Sequence, residues 1–243
     1  MTERTLDVLV VRWYERRDAA RDILTRWLEA AEQHLPEALP RRFGDTEPLR
    51  GRLDRDDTAG LARAYAAADS VLFLAGRPPV HHADLGADHA PSQGGRGWGS
   101  TAVHALHVEL DPTDDRIRRF ALALTHPGTI YVSASVAGGM TLDGRTLYGP
   151  AEQREEPYLA PRGQWLGLPP EPPDWCWFGP AYAERVGRDL DGEPVGAGLL
   201  YTGGPWVPVA LRARLSEVDP ARRPAPWMPR GLRRSVLRFL FSG

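Results

Sequence analysis

Along the first 150 positions, apolar residues recur in short runs whose period switches between two and three-to-four, as expected of strands alternating with helices. From Thr5 to Arg12, Leu6, Val8 and Val10 fall on one side of an extended chain and Leu9 and Val11 on the other, which predicts an interior strand with two apolar faces. From about Arg16 to His34, Ile23, Leu24, Trp27, Leu28 and Ala31 return at helical spacing. Arg17, Asp18, Arg21, Asp22 and Glu29 fall mostly elsewhere, so one stripe is buried, and Pro36 and Pro40 end the helix. The stretch PRRFGDTEPLRGRL, with its conformationally free Gly44, reads as a loop. A shorter helix starts near Asp57 and runs through Leu61, Ala64 and Tyr65, and Ser70 to Ala75 reads as a second strand. Arg77 to Thr101 is rich in Gly, Pro and His, shows no periodicity, and is taken as a long insert of the functional or mobile kind.

A third strand, Val103 to Leu110, precedes the acidic opening DPTDD, with Thr113 as candidate cap, and a helix whose stripe is Ile117, Phe120, Ala121 and Leu124. Ile130 to Val136 alternates, with Ile130, Val132, Ala134 and Val136 facing one way and Tyr131, Ser133 and Ser135 the other. Thr141 to Tyr148 carries Asp143-Gly144 between apolar flanks and predicts a hairpin.

Strand, helix, strand, strand, helix, strand is the order of the ferredoxin-like split β-α-β plan, an α+β fold in which two helices cover one face of an antiparallel sheet. Residues 1–149 are expected to form this core, with the insert at 77–101, and 150–243 to pack on it. Pro150 to Pro180 is too aromatic for a flexible linker and too proline-rich for regular structure, which suggests an ordered arm wrapped over the core. A short helix near Tyr182 to Val186 follows. Val195 to Tyr201 and Val207 to Leu215 then read as strands around Gly203-Gly204, and RGLRRSVLRFLFSG as a basic amphipathic helix.

Composition narrows the function classes. With 243 residues, 26% charged and 42% hydrophobic, the chain can bury a core without disulfides or metal. A net charge of -2 gives no bulk attraction to nucleic acid or anionic lipid. The single cysteine, Cys176, excludes an internal disulfide and a cysteine-rich zinc site and suits a reducing compartment. The apolar run Leu6 to Val11 is too short for a signal-peptide core and no stretch approaches a membrane span, so a cytoplasmic location is expected. Neither Lys nor Asn occurs, so every basic residue is Arg; these absences track A/T-rich codons and point to a high-GC bacterium.

Candidate chemistry is sparse. His81, His82, Asp84, Asp88 and His89 gather in the insert, and imidazole with carboxylate suits zinc, so a metal-dependent hydrolase is one reading. Solvated loop histidines are the plainer one, and no cofactor is expected. His104 and His107 are three apart on a strand and point to opposite faces, so both cannot join His81 at one ion. Cys176, between Trp175 and Trp177, has the apolar setting of an inert thiol. The chain contains no G-x-S-x-G, no phosphate-cradling loop with its lysine, and no G-x-G-x-x-G after the first strand. Glu155-Glu156 and Asp114-Asp115 read as solvated or helix-capping pairs. In the tail, Arg222, Arg223, Arg230, Arg233, Arg234 and Arg238 surround Leu232, Val236, Leu237 and Leu240. Such a helix either packs its leucines on the domain or meets a membrane or nucleic acid. If the third and fourth strands pair, His107 and Glu109 share a wet face with Tyr131, Ser133 and Ser135, a set suited to binding a protein partner, with Trp98 of the insert added. Alternatively, the arm or the later strands cover that face.

Two passages carry a resemblance. RRFGDTEP and WLGLPPEPPDWCWFGPAY resemble segments of actinobacterial and myxobacterial polymorphic-toxin immunity proteins, near the immunity protein 52 family, in which a W-x-G-x-P stretch precedes a W-x-x-F-G-x-x-Y stretch. Here Trp165, Gly167 and Pro169 precede Trp175, Phe178, Gly179 and Tyr182. The matches cover a minor part of the chain, and the His-rich insert and Arg-rich tail depart from the pattern. The resemblance implies an α+β protein that binds and blocks a cognate toxin without catalysis. An antitoxin-like binder is thus the leading expectation, ahead of a metal-dependent hydrolase using the insert and a scaffold subunit that assembles through the Trp-rich arm.

Overall fold

The computed structural model describes residues 3–16, 20, 22–53, 58–87, 101–144, 146–149, 172–186 and 190–203. Its centre is β1 (Arg4–Arg16), which runs beyond the predicted Arg12 because Trp13, Tyr14 and Glu15 continue the alternation and are all buried. The helix α1 (Ile23–His34) accordingly starts later than expected, where the apolar stripe itself begins; Ile23, Leu24, Trp27, Ala30 and Ala31 are buried along it. A single 3-10 turn at Pro36–Ala38 follows, and the Trp27 indole N–H donates to the Ala38 carbonyl at 3.1 Å.

The expected loop contains two short strands, β2 (Arg42–Gly44) and β3 (Gly51–Arg52). After α2 (Ala59–Ala67) and β4 (Val71–Ala75) comes β5 (Val80–Gly86), which corrects the reading of Arg77 onward as irregular. Val80, Ala83 and Leu85 all enter the core, but the register slips between Val80 and His82. This bulge at His81 breaks the period of two, which is why the strand is invisible to a search for alternation.

Next come β6 (Thr101–Val108), α3 (Asp115–Ala123), β7 (Thr129–Asp143) and β8 (Thr146–Tyr148). Asp114, not Thr113, caps α3 by accepting from the Arg116 N–H at 2.9 Å, while the Thr113 hydroxyl donates to Asp111 at 2.5 Å. The β7–β8 hairpin closes where expected, at Gly144, whose φ of 64° is the left-handed conformation that glycine adopts without strain. Then β9 (Trp175–Phe178), α4 (Pro180–Val186), β10 (Glu193–Val195) and β11 (Gly198–Tyr201) complete the described chain. Two expectations are corrected here. The end of the Pro/Trp stretch is an inner strand, β9, paired with both β7 and β11; and Val195 closes β10, with a turn at Gly196 before β11. Residues 150–171, the strand expected at 207–215 and the basic tail lie outside the described residues.

The whole is a mixed α+β structure with an open antiparallel sheet, in the order β10-β11-β9-β7-β1-β6-β5-β4-β2-β3, β8 pairing with β7. Strands β6 and β7 flank β1, both antiparallel to it, so they run parallel to each other with α3 between them in the chain. That half keeps a split β-α-β arrangement. In the other half β5 stands between β6 and β4 and turns β4 antiparallel to β1, which the four-strand plan does not contain.

Helices α1, α2 and α3 cover one face. Trp13, Trp27 and Phe120 meet edge to face there, with centroids 5.0 to 6.0 Å apart, and the Trp13 indole donates to the Ala121 carbonyl at 3.0 Å. The opposite face carries two smaller clusters. Leu6, Val8, Val10 and Met140 form one; Tyr14, Tyr131, Cys176, Phe178, Tyr182, Leu190 and Tyr201 form the other, under α4.

Candidate functional site

Strand register fixes which side chains share the face opposite α1 to α3. Ser135, Val10, His107 and His82 form one row across β7, β1, β6 and β5. Cys176, Ser133, Arg12, Ala105, Asp84 and Phe73 form the next, from β9 to β4. The third holds Phe178, Tyr131, Tyr14 and Val103. His107 and Ser135 therefore do share a face, although β6 and β7 do not pair as predicted; β1 lies between them.

The two ends of this face differ. Over β7 and β9 it is closed: Tyr131 is wholly buried between Phe178 and Tyr182, at 5.3 and 6.4 Å between centroids, and Ser133 is buried beside it. These two expected contact residues serve internal packing. Burial pushes the Cys176 thiol up, in keeping with an inert cysteine. Ser135 is half-buried. Glu109 is exposed just past β6 and is gripped by both arms of Arg4, at 3.1 and 2.6 Å, with His81 Nε2 at 3.4 Å.

Over β4, β5 and β6 the face is partly open. Val71 and Phe73 are half-buried and Val103 is 37% exposed, beside half-buried His82, Asp84 and His107. The His82 and His107 rings stack at 4.0 Å and 20°, a direct consequence of their pairing across β5 and β6. Asp84, two residues along the strand, points to the same side and places Oδ1 3.7 Å from His82 Nε2. One ligand atom from each of the three lies within 4.8 Å of the others. Burial lowers the pKa of both imidazoles, His107 well below its usual value, so both are neutral donors at pH 7. Burial raises Asp84 to about 6 against the opposing charge of Arg12, with Glu47 adding to the rise. Asp84 Oδ1 and His107 Nδ1 are buried without a hydrogen-bond partner. Of the described insert residues, the structure joins His82 and Asp84 with His107 of β6 and sets His81 apart with Glu109. Asp88, His89 and Trp98 lie outside the described residues.

A second polar cluster was not expected. Glu15, with no exposed surface, follows Trp13 on the helix-covered face. Arg26 of α1 donates to both of its oxygens at 3.0 and 2.8 Å and also reaches the Leu124 carbonyl. His126 Nε2 lies 3.1 Å and His104 Nε2 3.7 Å from Glu15 Oε2. Each histidine accepts a backbone N–H at Nδ1, from Gly128 at 3.0 Å and Gly86 at 3.1 Å, which leaves the ring proton on Nε2, facing the carboxylate. Burial opposes ionisation of Glu15, but the adjoining His104 and His126 rings and the hydrogen bonds from Arg26 outweigh it and hold the carboxyl far below the usual range. The available signal was a lone acid on an inward-facing position of β1, in step with Leu9, Val11 and Trp13.

Among the described residues, no helix is long and apolar enough to cross a membrane. No protein-family model matches the chain, and no curated protein does. Among solved structures, the chain is similar to the Pseudomonas aeruginosa T6SS protein PA0821 at 13% identity and a TM-score of 0.42, over 81% of this chain and 68% of that one. A likeness of that size establishes neither a shared family nor a shared role.

Proposed function

We propose that this chain is a non-catalytic binding protein of the antitoxin or immunity kind, which neutralises a cognate bacterial toxin in the cytoplasm by direct complex formation. The observation that carries the reading is the partly open sheet face over β4, β5 and β6. There Val71, Phe73 and Val103 stand beside His82, Asp84 and His107 on rigid paired strands. A preformed patch mixing apolar side chains with hydrogen-bonding groups is what a protein interface uses. This surface differs from the one the alternating strand suggested, because Tyr131 and Ser133 are covered and the exposed end of the same face takes their place. In the W-x-x-F-G-x-x-Y stretch, Trp175, Phe178 and Tyr182 are core residues, so that likeness concerns the framework and leaves the contact surface to other residues.

Co-expression of the full chain with the product encoded beside its gene tests the proposal. The expected result is co-elution in size-exclusion chromatography. Val103→Arg, which alters an exposed side chain and leaves the core intact, should weaken the complex roughly tenfold or more, about 1.4 kcal/mol. Absence of any complex, or full affinity in the Val103→Arg variant and in a matching Phe73→Ala variant, would overturn it.

A further inference from the structure

We propose that His82, Asp84 and His107 form a binding site for a divalent transition cation of the zinc class. Two imidazole nitrogens and one carboxylate oxygen are a donor set that such ions accept, with a fourth position left to water or an incoming ligand. The three ligand atoms already lie within 4.8 Å of one another, so side-chain adjustment alone can bring them onto one ion. They are held on two hydrogen-bonded strands, with His82 directly opposite His107, and not on a loop. Asp84 Oδ1 and His107 Nδ1 are also buried without a hydrogen-bond partner, a cost that a bound ion would remove. This inference is independent of the toxin-binding proposal, since it concerns the free chain.

The geometry sets one requirement. Imidazoles that share an ion aim their lone pairs at it and cannot remain face to face, so loading must turn at least one of the stacked rings about its Cβ–Cγ bond. Charges bordering the site act in both directions. Arg12 lies close enough to favour ionised Asp84 and to oppose a cation, while Glu47 favours one.

Titration of the metal-free full chain with Zn2+ alone, followed by calorimetry, and with Co2+, followed by its visible absorption, tests the site. The expected result is one equivalent of Zn2+ per chain and a Co2+ spectrum of low coordination number. Asp84→Asn and His107→Phe preserve shape and ring stacking, and each should lower affinity by at least the roughly 10- to 100-fold that losing even an outer-shell partner costs. No stoichiometric binding would overturn the proposal. So would binding unchanged in both variants but abolished by His81→Ala or His89→Ala, which would place the ion elsewhere. Because the readout needs no partner protein, failure here leaves the toxin-binding proposal standing, and the converse also holds.

Discussion

Glu15 is a buried acid with no exposed surface, so its carboxylate depends on Arg26, His104 and His126. Glu15→Gln keeps the shape but leaves the Arg26 charge facing a neutral amide. It should cost about 3 kcal/mol of unfolding free energy at pH 7, the usual penalty for breaking a buried pair from one side. Its pH dependence has a definite sign. The folded carboxyl titrates far below its unfolded value, so its contribution is complete above about pH 5 and is lost as the pH falls. Denaturant titrations of wild type and variant should differ most at pH 6 to 7, and the gap should narrow progressively as the pH falls below about 5; a gap that widens on acidification would contradict the assigned charge state. Cys176 offers a simpler check. Its thiol is enclosed by Tyr131, Phe178 and Tyr201 and pushed up by burial, so iodoacetamide at pH 8 should label the unfolded chain on a timescale that leaves the native protein unmodified. Native labelling at the unfolded rate would show that this cluster opens.

Among the elements, β9 shows how a short motif is spent on structure. Gly179 ends the strand, donates to the Ile130 carbonyl at 2.8 Å and lies so close to β7 that any Cβ would strike the Thr129 carbonyl. Gly179→Ala must push β9 away from β7 and should cost about 3 kcal/mol, at the upper end for single substitutions. Gly139→Ala, in open space at a φ of 70°, should cost only the left-handed penalty of about 1 kcal/mol. Thermal melts of the two variants should fall in that order, and equal losses would mean that backbone conformation, not the β7 contact, sets the Gly179 requirement. The same strand marks the limit of what a pattern can reveal. The Ile130 to Val136 alternation, the two-faced apolar run of β1 and the stripes of α1 and α3 were legible because each obeys one period set by one partner layer. Trp175-Cys176-Trp177-Phe178 is buried on both faces and so has no alternation to read, and β5 hides its own behind the bulge at His81. The site was legible only in part for the same reason. His82 and Asp84 are neighbours in sequence, but His107 joins them through the β5–β6 register, and the Glu15 cluster draws on four separate segments.

At the scale of the whole molecule, the sheet order predicts an uneven distribution of stability. β1 is bonded on both sides, to β6 and β7, with buried side chains on both of its faces, whereas among the described residues β3 and β10 are short edge strands. Amides of Leu9 to Tyr14 should exchange hydrogen only through global unfolding, and those of Gly51–Arg52 and Glu193–Val195 through local fraying. The same experiment bears on where a partner docks. Over β7, β9 and β11 the second face is already filled by α4 and its aromatic cluster, so a contact there would have to displace native packing before it formed any new interaction. Over β4, β5 and β6 the partly open side chains can be covered without rearrangement. Complex formation should therefore slow exchange in β5 and β6, which carry the partly open row of His82, Asp84, Val103 and His107, and leave β9 to β11 unchanged. Added Zn2+ should slow β5 and β6 as well, but only in chains that retain Asp84 and His107, whereas protection by a protein partner should extend to β4 and survive the loss of either. Slowing confined to β9 to β11 would move the contact surface to the closed end of the sheet and contradict the assignment of the open end.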